Sequence, residues 1–264
     1  MKRLITLFLL TFSITQLTTA QDKLYLLYEF MTVDNEQEGD YAETEAFWEK
    51  IHAERARNGD ILGWDLWSLQ PGGEVQGFQY LTVQLFDDPV KMMIGGNMDN
   101  FMARCKAAYP DMSEKELMKK LNNAGKTRNL DKRIYLEQIA STKDDYDMQI
   151  GSVASIDFMK VDMWNFDVYE KAEMEVFQPQ HQKQVDSGKK GSWGLLRYML
   201  PIGSETHSSH ITVNMYKDYS QFFSAFDDDG PEMTEEQMKA VQEGLATRDM
   251  KWVYMATLIR KVRN

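Results

Sequence analysis

Apolar and polar positions follow two different periods along the chain, and the order in which these periods alternate occurs twice. Residues 24–33 and 153–161 are rich in aromatic and branched side chains, which predicts a strand in each case. Residues 41–58 and 168–187 carry large side chains at helical spacing, and a glycine that can end a helix follows each segment. The pattern therefore predicts a strand and then a helix in both halves.

The rest of each half repeats as well. Ser113 and Thr234, each followed by acidic residues, predict the start of a second helix. The remaining strand-like segments are separated by turn residues: 63–69, 80–86 and 134–139 in the first half, and 193–200, 210–216 and 253–259 in the second. Each half thus has the order βαββαβ, which is that of a ferredoxin-like fold.

Individual side chains also return at matching positions. The matches are 30–34 with 158–162, then Trp48, His52 and Trp64 with Phe177, His181 and Trp193, then 80–88 with 210–218, and finally 112–114 with 233–235. With 134–136 and 253–255, these make five matches in the same order, which indicates an internal duplication. We therefore predict a first repeat over residues 21–147 and a second over residues 148–264.

The strands indicate how the two repeats are arranged. Trp64, Leu66, Trp67 and Leu69 place large apolar side chains on both faces of one strand, whereas a sheet with one wet face alternates between apolar and polar residues. Something must cover the second face, and the other repeat is the simplest cover. The predicted fold is α+β: two tandem ferredoxin-like βαββαβ repeats whose antiparallel sheets pack into one α/β barrel.

The N-terminal segment has a different character. Lys2 and Arg3 precede an apolar run over residues 4–14 that is too short to span a bilayer, and Ala20 precedes a polar sequence. This arrangement is typical of a secretory signal peptide, which we assign to residues 1–20. We expect a periplasmic or secreted protein with no membrane insertion after cleavage.

Composition narrows the functional classes. The chain of 264 residues has a formal net charge of −11, which disfavours nonspecific attraction to nucleic acid. Its single cysteine, Cys105, excludes an intramolecular disulfide and a cysteine-rich zinc site. Because no metal-ligand spacing or phosphate-binding glycine loop accompanies the histidines, the sequence predicts neither a metal nor a cofactor.

His52 and His181 are the leading candidates for chemistry. Each lies four residues after an aromatic residue, Trp48 or Phe177, on the helix stripe that faces the sheet. A histidine there can act as a general base near neutral pH. The alternative is a core histidine that is hydrogen-bonded to a neighbour.

Further candidates lie on the predicted strands. Glu29 and Asp157 occupy matching central positions, where a carboxylate either partners a histidine or faces solvent. A polar stripe shares one face of the third strand of each repeat, and it either lines a pocket or lies where the two sheets meet. Its ligand-binding candidates are Tyr80, Gln84, His210 and Asn214, and the flanking aromatic surface consists of Trp48, Trp64, Phe177 and Trp193.

Arg128 and Arg248 precede the last strand of each repeat. They could meet an anionic ligand, but we favour ion pairs with Asp88 and Asp218.

The repeated pattern resembles the dimeric α/β-barrel superfamily, which includes antibiotic-biosynthesis-type monooxygenases, stress-responsive barrel proteins and NIPSNAP-like proteins. The run Trp48-x-x-Ile51-His52, followed by Gly59 and Gly63-Trp64, also resembles a type of exported bacterial protein. The resemblance implies a ligand held between helices and sheet, in members that range from haem degradation through cofactor-free oxygenation to plain binding.

The leading hypothesis is an exported protein that binds a small apolar or aromatic molecule, and a homo-oligomer is compatible with it. The first alternative is a cofactor-free oxygenase, cyclase or isomerase that uses a helix histidine as general base. The second alternative is a structural or interaction module without a ligand.

Overall fold

The structure is a computed structural model that describes residues 23–71, 76–95, 98–225 and 233–264. The predicted signal peptide of residues 1–20 lies outside these residues. The elements of the first half are β1 (Tyr25–Thr32), α1 (Glu38–Arg57), β2 (Gly63–Gln70), β3 (Tyr80–Phe86), α2 (Pro89–Ile94), α3 (Met98–Ala108), α4 (Glu114–Ala124) and β4 (Asn129–Ser141).

The second half follows the same order with a shorter helical region after its third strand. Its elements are β5 (Val153–Lys160), α5 (Phe166–Ala172), a π-helical turn (Glu173–Phe177), α6 (Gln178–Asp186), β6 (Ser192–Leu200), β7 (His210–Tyr216), α7 (Tyr219–Ser224), α8 (Glu235–Leu245) and β8 (Asp249–Arg263). No helix among the described residues is both long and apolar enough to cross a membrane.

The eight described strands form a closed barrel in the order β1-β3-β2-β8-β5-β7-β6-β4, and every neighbouring pair is antiparallel. Each half contributes four adjacent strands in the ferredoxin-like order. The halves meet where β2 pairs with β8 and where β4 pairs with β6. The predicted fold class is confirmed. Closure of the barrel stabilises this arrangement because it leaves no sheet edge unpaired.

Both faces of the barrel wall are covered, which accounts for the apolar residues on both faces of the strands. The lumen is packed by rings and aliphatic groups such as Phe30, Leu81 and Leu136, all with no exposed surface. The outer face lies under the helices, where Trp64 and Tyr41 belong to one cluster and Trp193 and Tyr169 to another. We call this outer region the helix–sheet layer.

The continuous helix predicted over residues 168–187 is instead interrupted by the π-helical turn. The reason can be read from the repeat. Tyr41 and Glu45 correspond to Tyr169 and Glu173, 128 positions later, whereas His52 corresponds to His181, 129 positions later. The second half has gained one residue between these points, and the π turn absorbs it.

Strands β4 and β8 begin earlier than predicted, at Asn129 and Asp249. Their first residues are mostly charged and exposed, so the apolar pattern gives no sign of a strand. Backbone pairing with β1 and β5 nevertheless extends through them.

Candidate functional site

His52 lies in the helix–sheet layer of the first half, stacked between two indole rings. Its ring centroid is 5.0 Å from that of Trp64 on β2 and 5.7 Å from that of Trp48 on α1. The Arg55 guanidinium, one helical turn later, has Nη1 3.1 Å from His52 Nδ1 and donates to Gln84 Oε1 at 2.8 Å. We call these five residues the His52 cluster. Every member was singled out from the sequence except Arg55.

The second half builds a corresponding arrangement with a different cation. His181 stacks on Trp193 with centroids 5.0 Å apart and an interplanar angle of 19°, the same values as for His52 and Trp64. Lys190 Nζ lies 2.8 Å from His181 Nδ1 and donates to Asn214 Oδ1 at 2.6 Å. Asn214 Nδ2 in turn donates to Asp157 Oδ2 at 2.9 Å. We call these five residues the His181 cluster.

Burial dominates the electrostatics of both clusters. It holds the pKa of His52 well below the usual range, and the Arg55 charge acts in the same direction. Burial and the Lys190 ammonium lower the pKa of His181 to about 3. Both imidazoles are therefore neutral at pH 7, with Nδ1 placed to accept a hydrogen bond from the cation.

Lys190 and Asp157 are also perturbed. Burial lowers the pKa of Lys190 to about 8, opposed by the attraction of Asp157. Burial raises the pKa of Asp157, although hydrogen bonds from Ser155, Thr212 and Asn214 oppose the increase. The chain from His181 through Lys190 and Asn214 to Asp157 thus links a half-buried imidazole to a half-buried carboxylate.

The other predicted residues do not converge on either histidine. Glu29 Oε1 accepts from Arg133 at 2.8 and 2.6 Å on the neighbouring strand. The Tyr80 hydroxyl donates to Glu38 at the start of α1. These two residues therefore have structural partners within the first half.

His210 and Phe177 likewise have partners of their own. His210 Nε2 lies 3.1 Å from Glu170 Oε1, and Glu170 also accepts from Arg197. Phe177 lies under the Arg248 guanidinium, 4.5 Å from ring centroid to Cζ. Both belong to the helix–sheet layer. His210 shares this position with the other members of the predicted stripe, so the stripe does not lie where two sheets meet.

Arg128 and Arg248 do form ion pairs, but the predicted partners are wrong. Arg128 pairs with Glu45, and Arg248 Nε lies 3.5 Å from Glu173 Oε1. Asp88 and Asp218 instead cap helices, because their carboxylates accept from the backbone N–H groups of Lys91 and Gln221 at 2.8 Å. Glu45 of α1 and Glu173 of the π turn are buried, and they lie within ion-pair distance of the arginines.

An apolar cavity lies inside the barrel, at the end where the chain passes from β4 to β5. This lumen cavity has a volume of about 230 Å³, and aliphatic and aromatic groups such as Tyr28, Ala154 and Leu196 line it. At its rim Asp65 accepts two hydrogen bonds from Arg263, at 2.7 and 2.8 Å. Burial raises the pKa of Asp65, and this pair opposes the increase.

Of the predicted site residues, Trp193 borders the lumen cavity, although its ring stacks on His181 in the helix–sheet layer. The others face the helix–sheet layer, and neither His52 nor His181 lines the cavity at either end of the barrel. Sequence reasoning singled out side chains on the outer face of the strands. It missed the lumen residues because they occupy the alternate strand positions, which face the inside of the barrel. Asp65 and Arg263 meet only when the first and last parts of the barrel close.

No sequence profile of a protein family matches the chain, and no curated protein sequence is similar to it. Solved structures are similar in shape. A candidate monooxygenase from Fusobacterium nucleatum subsp. nucleatum matches with a TM-score of 0.57 at 9% identity, over 93% of this chain and 96% of that one. A candidate monooxygenase from Lactobacillus acidophilus matches with a TM-score of 0.55 at 10% identity, over 92% and 97%.

An anthrone oxidase-like protein matches with a TM-score of 0.54 at 14% identity, over 92% of this chain and 94% of that one. The chain shares with these proteins the fold of a closed α/β barrel built from two ferredoxin-like halves. At these identities the likeness extends to the fold alone, because one fold carries many chemistries. The function must be argued from the cavities and side chains of this chain.

Proposed function

We propose that the mature protein is exported to the periplasm or beyond the cell and binds a small apolar or aromatic molecule in the lumen cavity. The observation that carries the proposal is the cavity itself, a mostly apolar space of about 230 Å³ within the barrel. An apolar cavity of about 150 Å³ accommodates benzene, so a fused bicyclic aromatic is the size that suits this space.

The chemistry of the rim supports an uncharged ligand. Arg263 and Asp65 neutralise each other through two hydrogen bonds. Gln138 and Ser192 also line the cavity and can orient a hydroxyl or carbonyl group of the ligand. A neutral aromatic with one hydrogen-bonding group therefore fits best.

This location differs from the space between helices and sheet that the sequence suggested. In that layer each histidine already has a stacked indole and a cation at Nδ1. A general base needs a substrate within hydrogen-bond reach. We therefore favour ligand binding in the lumen over catalysis at His52 or His181.

2-Naphthol tests the proposal, with binding followed by calorimetry and by the fluorescence of the probe. Ala154 is 1% exposed and lines the cavity, so Ala154→Phe should occupy the space that the probe needs and weaken binding by at least roughly tenfold. Ala154→Val should weaken binding less and guards against failure of the larger variant to fold. Trp252→Leu at the opposite end is the control and should bind as wild type does.

Unchanged 2-naphthol affinity in a folded Ala154→Phe protein would contradict the proposed site. Export is tested separately, by the intact mass of protein recovered from its own host. We expect a chain that starts at Gln21, and retention of Lys2 would contradict export.

A further inference from the structure

The other end of the barrel holds a second cavity with a different character. We call it the aromatic cavity. Its volume is about 260 Å³, and five aromatic side chains contribute to its wall: Phe78, Phe158, Tyr198, Trp252 and Tyr254. Several of these rings hold one another in place. Tyr254 meets Phe78 and Phe158 edge-on with centroids 5.4 and 5.8 Å apart, and its ring plane is within 13° of that of Trp252.

A cation lies over this aromatic wall. Lys132 Nζ is 4.8 Å from the centroid of Phe78 and 5.7 Å from that of Phe30. Among the described residues, the carboxylate that pairs with it is Asp131, at 3.9 Å and with no hydrogen bond between them. Arg133 also lines the cavity, but its guanidinium is committed to Glu29. Lys132 therefore retains donors for a further acceptor.

The pKa of His207 reflects the positive charges at this end of the barrel. Burial lowers its pKa, and the charges of Lys132, Lys251 and Lys160 lower it further. The Trp252 indole N–H donates to His207 Nε2, which fixes the plane of the indole at the cavity wall. The cavity thus combines an oriented aromatic surface with nearby cationic side chains, of which Lys132 lies over the rings.

We propose that the aromatic cavity is a second binding site, specific for a small planar aromatic carboxylate. The aromatic body lies against Trp252, Tyr254 and Phe158, and the carboxylate accepts hydrogen bonds from the Lys132 ammonium. Lys160 takes no part in binding, because its Nζ donates to the carbonyls of Gly203, Ser204 and Thr206 in the β6–β7 loop.

The two cavities differ in the charge that each offers to a ligand. At the rim of the lumen cavity the cation Arg263 is neutralised by a bidentate carboxylate, whereas Lys132 has a carboxylate only at the limit of an ion pair. An uncharged aromatic has no reason to prefer Lys132, and an anionic one gains a charge-assisted hydrogen bond there. The inference does not rest on the proposed function, since it concerns a separate site.

The experiment compares 2-naphthoate with 2-naphthol on the full chain, by calorimetry. Lys132→Met keeps the length and apolar stem of the side chain but removes the charge. It should weaken 2-naphthoate binding by at least roughly tenfold, as expected for loss of one charge-assisted hydrogen bond, and leave 2-naphthol binding unchanged. Lys251→Met is the matched control, because Lys251 lies at the same end and is paired with Asp249. It should retain affinity within about twofold.

Trp252→Leu should also weaken 2-naphthoate binding by roughly tenfold through loss of the aromatic surface. The proposal is overturned if wild type does not bind 2-naphthoate, or if Lys132→Met and Lys251→Met weaken it equally, which is the result for diffuse attraction. It is also overturned if Ala154→Phe abolishes 2-naphthoate binding while Lys132→Met does not, because the anion then occupies the lumen cavity. Unaltered 2-naphthol binding shows that the Lys132, Lys251 and Trp252 variants are folded.

Discussion

The His52 cluster and the His181 cluster place an imidazole on an indole with the same geometry, 5.0 Å between centroids at 19°. The cation at Nδ1 is not shared. Arg55 comes from the same helix as His52, one turn later, whereas Lys190 comes from the loop before β6. The comparison shows that both halves pack the imidazole on an indole at the barrel wall. The cation beside the imidazole, in contrast, comes from a different residue type and a different element in each half.

The clusters also differ in how they are covered. In the first half, Phe101 of α3 stacks on Trp48. Cys105, also on α3, and Ile51 of α1 belong to one buried apolar cluster. The described part of the second half has no helix equivalent to α3, and His181 is half-buried where His52 is 6% exposed. The second cluster is therefore the more accessible of the two.

Removal of the wall tryptophans should have the largest effect. Trp64→Ala and Trp193→Ala should each lower the free energy of unfolding by about 3 to 5 kcal/mol, because each side chain is 1% exposed and leaves a cavity under its helix. Urea denaturation of both variants measures the loss. A loss below about 1 kcal/mol in either half would contradict the claim that this stack supports the layer.

Replacement of the histidines should separate the two halves. His52→Gln should lower the free energy of unfolding by about 1 to 3 kcal/mol, because it removes a buried ring from between two indoles and disturbs the acceptor of Arg55. His181→Gln should cost less, since its ring is half-buried and has one indole neighbour. Equal losses of unfolding free energy in the two variants would show that the packing of α3 over the His52 cluster does not stabilise the first half.

The same two variants test the role of the histidines as bases, which stays a prediction. If His52→Gln and His181→Gln both bind 2-naphthol and 2-naphthoate as wild type does, the histidines act in packing. A loss of binding without a loss of stability would place the ligand-binding site in the helix–sheet layer instead of the barrel cavities.

Titration of Lys190 should give the smallest effect. Its pKa is about 8 in the folded protein, below the value of an exposed lysine, so the unfolded chain holds more protons between about pH 8 and pH 10. Stability from this group therefore rises with pH across that window. The rise is of the order of 1 to 2 kcal/mol.

The measurement is a difference, because buried tyrosines titrate in the opposite sense at higher pH. Urea midpoints of wild type and Lys190→Met are compared at pH 7 and pH 9.5, and the gap between them should change. Arg55→Met is the matched variant in the first half and should show no such change, since arginine stays charged. A constant gap for Lys190→Met would mean that the lysine is protonated throughout.

The fold could be predicted because the duplication supplied each element twice and because strands such as β2 are apolar on both faces. The ring stacks could also be foreseen, since His52 with Trp64 and His181 with Trp193 recur in matching positions. Their cations could not, because Arg55 and Lys190 are not equivalent and no repeat marks them. The two barrel cavities depend on strand register and ring orientation, which periodicity does not determine.

The pairing of β2 with β8 at a junction of the two halves sets the order in which the barrel can be completed. Strand β2 has one neighbour, β3, until β8 arrives, and β8 follows every other described strand along the chain. A nascent chain must therefore hold a long, open sheet edge until β8 has left the ribosome. Any shortened product that ends before Asp249 retains that edge, together with one on β5, so truncation converts this protein into an aggregation-prone sheet rather than a smaller barrel.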